Sequence, residues 1–201
     1  MTDSVSHHPD GIPRQVLREK LRNMRRDISH QQRSRFDQAI RQHLLDLIKT
    51  KTITSLAAYW PFDGEPDVIP LCRQLLEQGV GVALPKIALD GNNMEFHAWH
   101  AGETLEQNRF GIQEPGNTRK MSVSTCPLLI MPLVGYDHAG NRLGVGSGYY
   151  DRYLETMRDS PLPLRIGIAY SLQEMELIES NDWDIPLHGV INENGWFTFT
   201  Q

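Results

Sequence analysis

The chain has 201 residues, of which 39% are hydrophobic and 22% charged, so it is long enough for a domain with its own core and is not intrinsically disordered. Its formal net charge of −5 argues against a dedicated nucleic-acid-binding protein. Two cysteines are too few for a disulfide scaffold. We find no secretory signal and no apolar run of about 18 residues, which is the length that a transmembrane helix needs. We therefore expect a soluble, cytoplasmic protein that binds neither nucleic acids nor membranes. We also expect it to be a monomer.

Two helices are predicted near the amino terminus, after a flexible tail over residues 1–13 and at the start of a single domain over 14–201. Pro13 fits the first turn of a helix in which apolar residues recur at helical spacing, with arginines between them. Ser29 is a suitable N-cap for a second helix over 30–49, which has one apolar face.

Positive charge is concentrated in these two helices. From Arg14 to Lys51 the chain holds eleven Lys or Arg and four Asp or Glu, a net charge of +7, so the remainder carries −12. Such a basic segment is either a solvated helix face or, in an otherwise acidic protein, a site that holds phosphate.

The rest of the chain alternates strands with helices. Apolar stretches predict strands at 53–60, 81–85, 93–99, 126–137 and 165–170, and short strands in the carboxyl-terminal tail. A helix that Asp67 can cap ends at Gly79, and helical spacing returns over 148–158. Because alternating strands and helices imply parallel pairing, we predict a three-layer α/β/α sandwich, Rossmann-like, with a mostly parallel sheet and basic amino-terminal helices.

The densest functional signal follows the strand over 126–137. Gly144, Gly146 and Gly148 alternate with other residues just before a helix, so the backbone can come close to a bulky anion. The P-loop pattern requires a Gly-Lys pair, which the chain lacks, and the dinucleotide-binding pattern requires a glycine where Tyr149 stands. The segment is therefore a phosphate-binding loop of another kind or a mobile glycine-rich turn.

The sequence RLGVGSGYYDRYL, residues 142–154, closely resembles the signature of the 5-formyltetrahydrofolate cyclo-ligase (methenyltetrahydrofolate synthetase) family. Weaker parts of the resemblance follow the expected order along nearly the whole chain: Arg-x-x-x-Arg at 14–18, the Gly-Glu pair after the first strand, LPK at 84–86, FGIQEP at 110–115 and DIPLH at 184–188. The resemblance implies an enzyme that uses ATP and Mg²⁺ to convert 5-formyltetrahydrofolate to 5,10-methenyltetrahydrofolate, releasing ADP and phosphate. It also implies a phosphorylated formyl (imidate) intermediate, formed when the formyl oxygen attacks the γ-phosphate.

The same resemblance implies which residues contact the two substrates. Those expected at ATP are Arg14, Arg18, Arg142, Leu143, Gly144, Val145, Gly146, Ser147, Gly148, Tyr149 and Tyr150. Those expected at the folate are Trp60, Glu65, Val145, Gly146, Ser147, Gly148 and Tyr149. A tryptophan can stack on a pterin, and a carboxylate can accept paired hydrogen bonds from its amino and ring N–H groups.

Catalytic and metal-binding roles are carried over in the same way. The expected catalytic residues are Arg142 and Tyr149, and Arg142 is the expected cation for the transferred phosphoryl group. The expected magnesium ligands are Asp151 and Asp184. The family usually has a further aspartate where this chain has His188, so Asp182 is an alternative to Asp184.

Several alternatives stay open at this point. Lys86 is a further candidate for phosphate binding, and Asp67 is a second acid near the folate whose helix-cap role is simpler. The chain could also be a ligase or kinase for another small carbonyl compound, or a non-catalytic nucleotide- or folate-binding protein.

Overall fold

The structure, a computed structural model, describes residues 12–116, 118–157, 163–181 and 184–199, so residues 1–11 of the predicted tail lie outside it. The elements in chain order are α1 (Arg14–Arg26), α2 (His30–Thr50), β1 (Ser55–Ala57), α3 (Ile69–Glu77), β2 (Gly81–Ile87), β3 (Met94–Trp99), β4 (Leu105–Gln107), β5 (Gln113–Pro115), β6 (Leu128–Pro132), β7 (Gly135–Tyr136), β8 (Arg142–Leu143), α4 (Tyr149–Glu155), β9 (Leu164–Ile168), β10 (Gly189–Asn192) and β11 (Gly195–Thr198). No helix in the described ranges is long and apolar enough to cross a bilayer.

Among the described residues, seven strands form one mixed sheet in the order β11-β10-β9-β6-β1-β2-β3. The five inner strands pair in parallel, whereas β3 and β11 lie antiparallel at the two edges. The predicted α/β fold with a mostly parallel sheet is confirmed. The predicted first strand is too long, since only Ser55–Ala57 joins the sheet and the chain then turns away.

Both faces of the sheet are covered, which gives the predicted three layers. In β6, Leu128 and Ile130 face an apolar cluster formed with α2 and α3, whereas Leu129 and Met131 face a second cluster that contains Leu154 of α4. Successive side chains of a strand point to opposite faces, so a strand buried on both sides is apolar at every position.

Ser29 and Gly79 are found at their predicted places, whereas the N-cap of α3 is Val68 and not the predicted Asp67. The Ser29 side chain caps α2 by accepting a hydrogen bond from the Gln32 amide at 3.3 Å. The Asp67 carboxylate accepts one from the Ile69 amide at 3.0 Å, in the first turn of α3. Gly79, with a φ of +82°, follows the end of α3 in the left-handed conformation that favours glycine. These short-range interactions place the loops that surround the site.

Candidate functional site

A cavity of about 470 Å³ lies beyond the carboxyl ends of β1 and β6, under helix α1. The predicted residues that line it are Arg14, Arg18, Trp60, Glu65, Lys86, Arg142, Gly144, Val145, Gly146, Ser147, Gly148, Tyr149, Tyr150, Asp151 and Asp184. Leu143 does not line it, because its side chain is buried in a small apolar cluster with Leu21. Asp67 is also outside the lining, and Asp182 lies outside the described residues. The structure therefore brings nearly all the predicted residues to one place.

The glycine loop (residues 144–148) forms one wall of the cavity. Gly146 and Gly148 have φ angles of +102° and +68°, so the backbone conformation itself requires glycine there. Gly144 differs, because its φ is not positive and a Cβ added to it would have no atom of the described residues within 4 Å, its chain neighbours aside. The fold does not demand glycine at this position, and its effect is to leave the cavity open for close approach to the backbone.

Arg142 and Asp151 form an ion pair at the base of this loop. The Arg142 side chain is 7% exposed, and its guanidinium donates to the Asp151 carboxylate and to the Ile185 carbonyl. The second carboxylate, that of Asp184, accepts hydrogen bonds from the Asn181 amide at 2.9 Å and from its side chain at 3.3 Å. The pair therefore joins the start of α4 to the segment that carries Asp184.

The carboxylates of Asp151 and Asp184 lie in the lining of one cavity. No group of three or more His, Cys, Asp or Glu side chains in the described ranges is placed to hold a metal. Mg²⁺ is nevertheless commonly bound by one or two carboxylates together with substrate phosphates and water. Asp151 and Asp184, which line the same cavity as the glycine loop, fit that pattern.

His188 has a structural role in this fold. Its Nδ1 accepts a hydrogen bond from the Arg165 amide at 2.9 Å, and it does not line the cavity. Burial, together with the Arg165 charge, lowers the pKa of His188, which favours the neutral ring that this bond needs.

Helix α1 brings arginines to the glycine loop. The Nε of Arg18 donates to the Gly144 carbonyl at 2.9 Å. Burial and the neighbouring Arg14 lower the pKa of Arg18, while the charge of Asp151 opposes them. Arg22 and Arg25 also line the cavity and were not predicted as site residues. Their spacing from Arg14 and Arg18, three or four residues along one helix face, is the signal that could have found them.

Another wall comes from the β1–α3 loop (residues 58–68). The Glu65 side chain is buried there and accepts a hydrogen bond from the Phe62 amide at 3.0 Å. Burial raises the pKa of Glu65 to about 7, although the Arg25 charge opposes this. Trp60 meets the Trp99 ring edge-on, with centroids 6.0 Å apart. This wall thus offers a buried carboxyl and an aromatic surface.

Tyr150 adds a polar group to the same region. Its hydroxyl is buried and has no hydrogen-bond partner among the described residues. Burial and the charge of Glu65 both raise the pKa of Tyr150, so the hydroxyl keeps its proton. An unpaired buried hydroxyl that lines a cavity is available to a ligand.

Tyr149 stands at the mouth and uses its hydroxyl within the protein. The hydroxyl donates to the Gly91 carbonyl at 2.8 Å and accepts a hydrogen bond from Arg109. Its ring packs against that of Phe110 with centroids 6.3 Å apart, and the Arg152 guanidinium lies 5.1 Å from its centroid. The ring is therefore what Tyr149 presents to the cavity.

Lys86 fixes a neighbouring segment in place. Its Nζ donates to the Pro115 and Gly116 carbonyls at 2.8 and 2.6 Å. The residues around them that line the cavity but were not predicted as site residues are Asn108, Phe110, Ile112 and Glu114. The FGIQEP sequence at 110–115 is the signal that could have pointed to them.

Comparisons with known proteins agree with this geometry. Residues 12–193 match the model of the 5-formyltetrahydrofolate cyclo-ligase family. The chain is 32% identical to 5-formyltetrahydrofolate cyclo-ligase from Haemophilus influenzae over 181 residues, which cover 89% of this chain and 96% of that protein. It is 32% identical to the Escherichia coli K12 protein of the same name over 174 residues, which cover 85% and 95%.

Two solved structures are similar over nearly their whole length. The NMR structure of Aquifex aeolicus 5,10-methenyltetrahydrofolate synthetase matches with a TM-score of 0.81 and 30% identity, covering 94% of this chain and 93% of that one. The 5,10-methenyltetrahydrofolate synthetase from Mycoplasma pneumoniae matches with a TM-score of 0.73 and 27% identity, covering 90% and 98%. Their fold is thus shared by this chain.

Proposed function

This chain belongs to the 5-formyltetrahydrofolate cyclo-ligase family and is an enzyme that converts 5-formyltetrahydrofolate to 5,10-methenyltetrahydrofolate with ATP, and we propose that the reaction takes place in the cavity under α1. The observation that carries this proposal is the composition of that one cavity. It combines a glycine loop, a row of arginines and a wall with a buried carboxyl and a tryptophan. The first two suit a triphosphate, and the third suits a pterin.

ATP is proposed to lie with its phosphates along the segment from Arg142 to Tyr150. Gly144 supports this placement, since a Cβ added there would meet none of the described residues within 4 Å apart from its chain neighbours. Arg18 already contacts the carbonyl of Gly144, so its guanidinium is held beside the loop with that of Arg14 nearby. Cations in fixed positions stabilise phosphate charge without reorganising during the reaction.

Magnesium is proposed to be held by Asp151 and Asp184, together with phosphate oxygens and water. When bound, the ion would neutralise charge on the triphosphate. Asp151 is also the partner of Arg142, so its carboxylate holds that guanidinium at the edge of the phosphate site.

The folate is proposed to lie against Trp60, Glu65 and residues 145–149. Glu65 can accept paired hydrogen bonds from the pterin amino and ring N–H groups, which favour its ionised form. The rings of Tyr149 and Phe110 at the mouth would pack against the remainder of the folate.

The proposed chemistry has two steps. The formyl oxygen attacks the γ-phosphorus, so an O–P bond forms while the bond to the β-phosphate oxygen breaks and ADP leaves. The adjacent folate nitrogen then attacks the formyl carbon and loses its proton, the C–O bond breaks, and phosphate leaves. Placing the formyl oxygen and stabilising the transferred phosphoryl group are the tasks of the protein. Arg142 is the proposed cation for that group, and Tyr149 is proposed to position the folate through its ring.

The direct test is spectroscopic. Purified protein supplied with 5-formyltetrahydrofolate, ATP and Mg²⁺ should produce the absorbance of the methenyl product, and omission of ATP should abolish the rise. Absence of the product, in the presence of an active cyclo-ligase control, would contradict the proposal. Tight folate binding without ATP turnover would instead favour a folate-binding protein. The cytoplasmic location, the monomeric state and the single domain over 14–201 stay predictions.

A further inference from the structure

Asp63 connects two parts of the cavity wall that are distant in the sequence. Its carboxylate accepts hydrogen bonds from three arginines of α1, namely the Nε of Arg22 at 2.6 Å, the Nε of Arg26 at 2.6 Å and the Nη2 of Arg25 at 3.4 Å. The Asp63 carbonyl accepts another from the Nε of Arg25 at 3.1 Å. The α1 helix is thereby joined to the β1–α3 loop at a single residue.

The backbone at this residue is unusual. Asp63 has a φ of +51°, in the left-handed region that few non-glycine residues adopt, and Gly64 follows with +77°. Arg33 of α2 donates to the Gly64 carbonyl and, at 2.7 Å, to the Arg25 carbonyl. A strained backbone conformation persists where several contacts enforce it, and here the hydrogen bonds from these arginines do so. The turn directs the chain so that Glu65 follows within the cavity wall.

Helix α1 is also attached by the Arg18 bond to the Gly144 carbonyl, by the Arg25 bond to the Leu133 carbonyl and by the Arg33 bond to the Arg25 carbonyl. The two residues of α1 that are buried are Leu21, in a small apolar cluster, and Arg25. A helix of this length has little stability by itself, so its contacts with the rest of the protein decide where it lies. The four hydrogen bonds to Asp63 are therefore part of what places α1 against the cavity, and they are the ones that join it to the β1–α3 loop.

The charges in this cluster depend on Asp63. Burial would raise the pKa of its carboxyl, but hydrogen bonds from Arg26 and Arg22 outweigh burial and lower it, so the group is ionised. Without that charge, the almost fully buried Arg25 would keep its hydrogen bonds to two carbonyl oxygens and the nearby charge of Glu65, but the three guanidinium groups would repel one another more strongly.

We propose that Asp63 is a positioning residue that holds helix α1 and the Glu65-bearing loop in one arrangement, and so couples ATP binding to folate binding. This inference rests on the proposed function. A ligand that fixes either α1 or the loop would fix the other through Asp63, and the second ligand would meet an ordered site. Coupling of this kind is reciprocal and typically amounts to about 5- to 150-fold in affinity.

The test measures coupling and not activity. The affinity of the full chain for a non-hydrolysable ATP analogue with Mg²⁺ is measured by calorimetry, with and without saturating 5-formyltetrahydrofolate. We expect the folate to tighten analogue binding at least about fivefold in the wild type, and the ratio to fall to about one in Asp63→Asn. Asparagine tolerates the left-handed backbone, so the variant removes the charge and keeps the turn.

Two further variants sharpen the test. Arg26→Gln removes one contact to Asp63 from a residue outside the cavity lining, so a reduced ratio there cannot come from a lost ligand contact. If Asp63→Asn fails to fold, Arg26→Gln replaces it in the test. Asp46→Asn changes an exposed carboxylate of α2 that accepts a hydrogen bond from Gln42, and should keep the wild-type ratio.

The outcomes separate positioning from mere stabilisation. If the Asp63 and Arg26 variants lose thermal stability and bind both ligands more weakly but keep the wild-type ratio, the coupling role is refuted. A wild-type chain that forms the methenyl product but shows a ratio of one would also refute it, while leaving the proposed reaction intact. Absence of both product and folate binding would instead overturn the proposed function.

Discussion

Replacing Glu65 by glutamine should stabilise the fold at alkaline pH and at the same time impair catalysis. The Glu65 side chain is 8% exposed, and its pKa is raised to about 7, chiefly by burial. Glutamine keeps an oxygen that can accept the hydrogen bond from the Phe62 amide, but it cannot ionise. The variant therefore removes the cost of burying a charge with little change in packing.

The size of the effect follows from the shift in pKa from 4.5 to about 7. At about 1.4 kcal/mol for each pH unit, this shift corresponds to about 3 kcal/mol. Between these two values the folded state holds a proton that the unfolded state has released, so the free energy of unfolding falls as pH rises. The destabilisation is fully present above pH 7 and absent below pH 4.5, where both states are protonated.

Thermal unfolding at pH 8 and pH 4.5 tests this reasoning. At pH 8, Glu65→Gln should unfold about 6 to 12 °C above the wild type, and the difference should nearly vanish at pH 4.5. Glu77→Gln, at an exposed position of α3, is the matched control and should behave like the wild type at both values. A Glu65→Gln variant no more stable than the wild type at pH 8 would refute the argument from burial.

The same variant tests the folate contact. The carboxylate can accept two charge-assisted hydrogen bonds, whereas glutamine offers one neutral acceptor, so kcat/KM for the folate should fall about 100-fold. Unchanged kcat/KM would show that Glu65 does not bind the pterin, even if the stability result holds.

Three further predictions concern the phosphate side. Asp151→Asn should lower turnover at least about 100-fold in the methenyl assay and leave the Tm almost unchanged, because the side chain is 40% exposed and asparagine keeps an oxygen that can accept the hydrogen bond from Arg142; near-normal turnover would exclude a metal or phosphate role. Gly144→Val should raise KM for ATP about 10-fold and leave the Tm unchanged. Gly140→Ala should instead lower the Tm, because its Cβ would lie 2.7 Å from the Leu187 carbonyl oxygen. A lowered Tm for Gly144→Val would mean that this glycine is structural. Lys86→Met should lower the Tm by a few degrees and change KM for ATP little, since the ammonium is engaged by two carbonyls; a large rise in that KM with normal Tm would favour phosphate binding instead.

The sheet and the long helices could be predicted because their signals are local. Ser29 and Gly79 mark helix ends through contacts within a few residues, and the apolar run in β6 reflects burial on both faces. The first strand was predicted too long, since its apolar run continues through Tyr59 and Trp60 after the chain has left the sheet. Tyr59 belongs to the apolar core, Trp60 packs against it, and both also line the cavity. The short strands β4 and β5 carry the polar sequences LEQ and QEP, which have no strand pattern.

The site was predictable where it is continuous in sequence and otherwise came from the family resemblance. The glycine loop could be selected from spacing, whereas Arg14, Arg18, Trp60 and Glu65 came from the resemblance. Neither spacing nor the resemblance predicts a role for Asp63. Its arginine partners lie 37 to 41 residues away in the sequence, and an acidic residue beside a glycine is usual in a turn. Only the packing of α1 against the β1–α3 loop shows that it is a point of contact.

The two interpretations of the basic segment describe different helices. In α2, exposed cations such as Arg35 and Lys49 belong to a solvated face. In α1, the arginines divide along the helix: Arg18 in the first half contacts the glycine loop, whereas the arginines of the last turns are bound to Asp63. One end of α1 is thus placed to meet phosphate and the other to anchor the helix, so that a short helix with little apolar contact can still present its charges at a defined position.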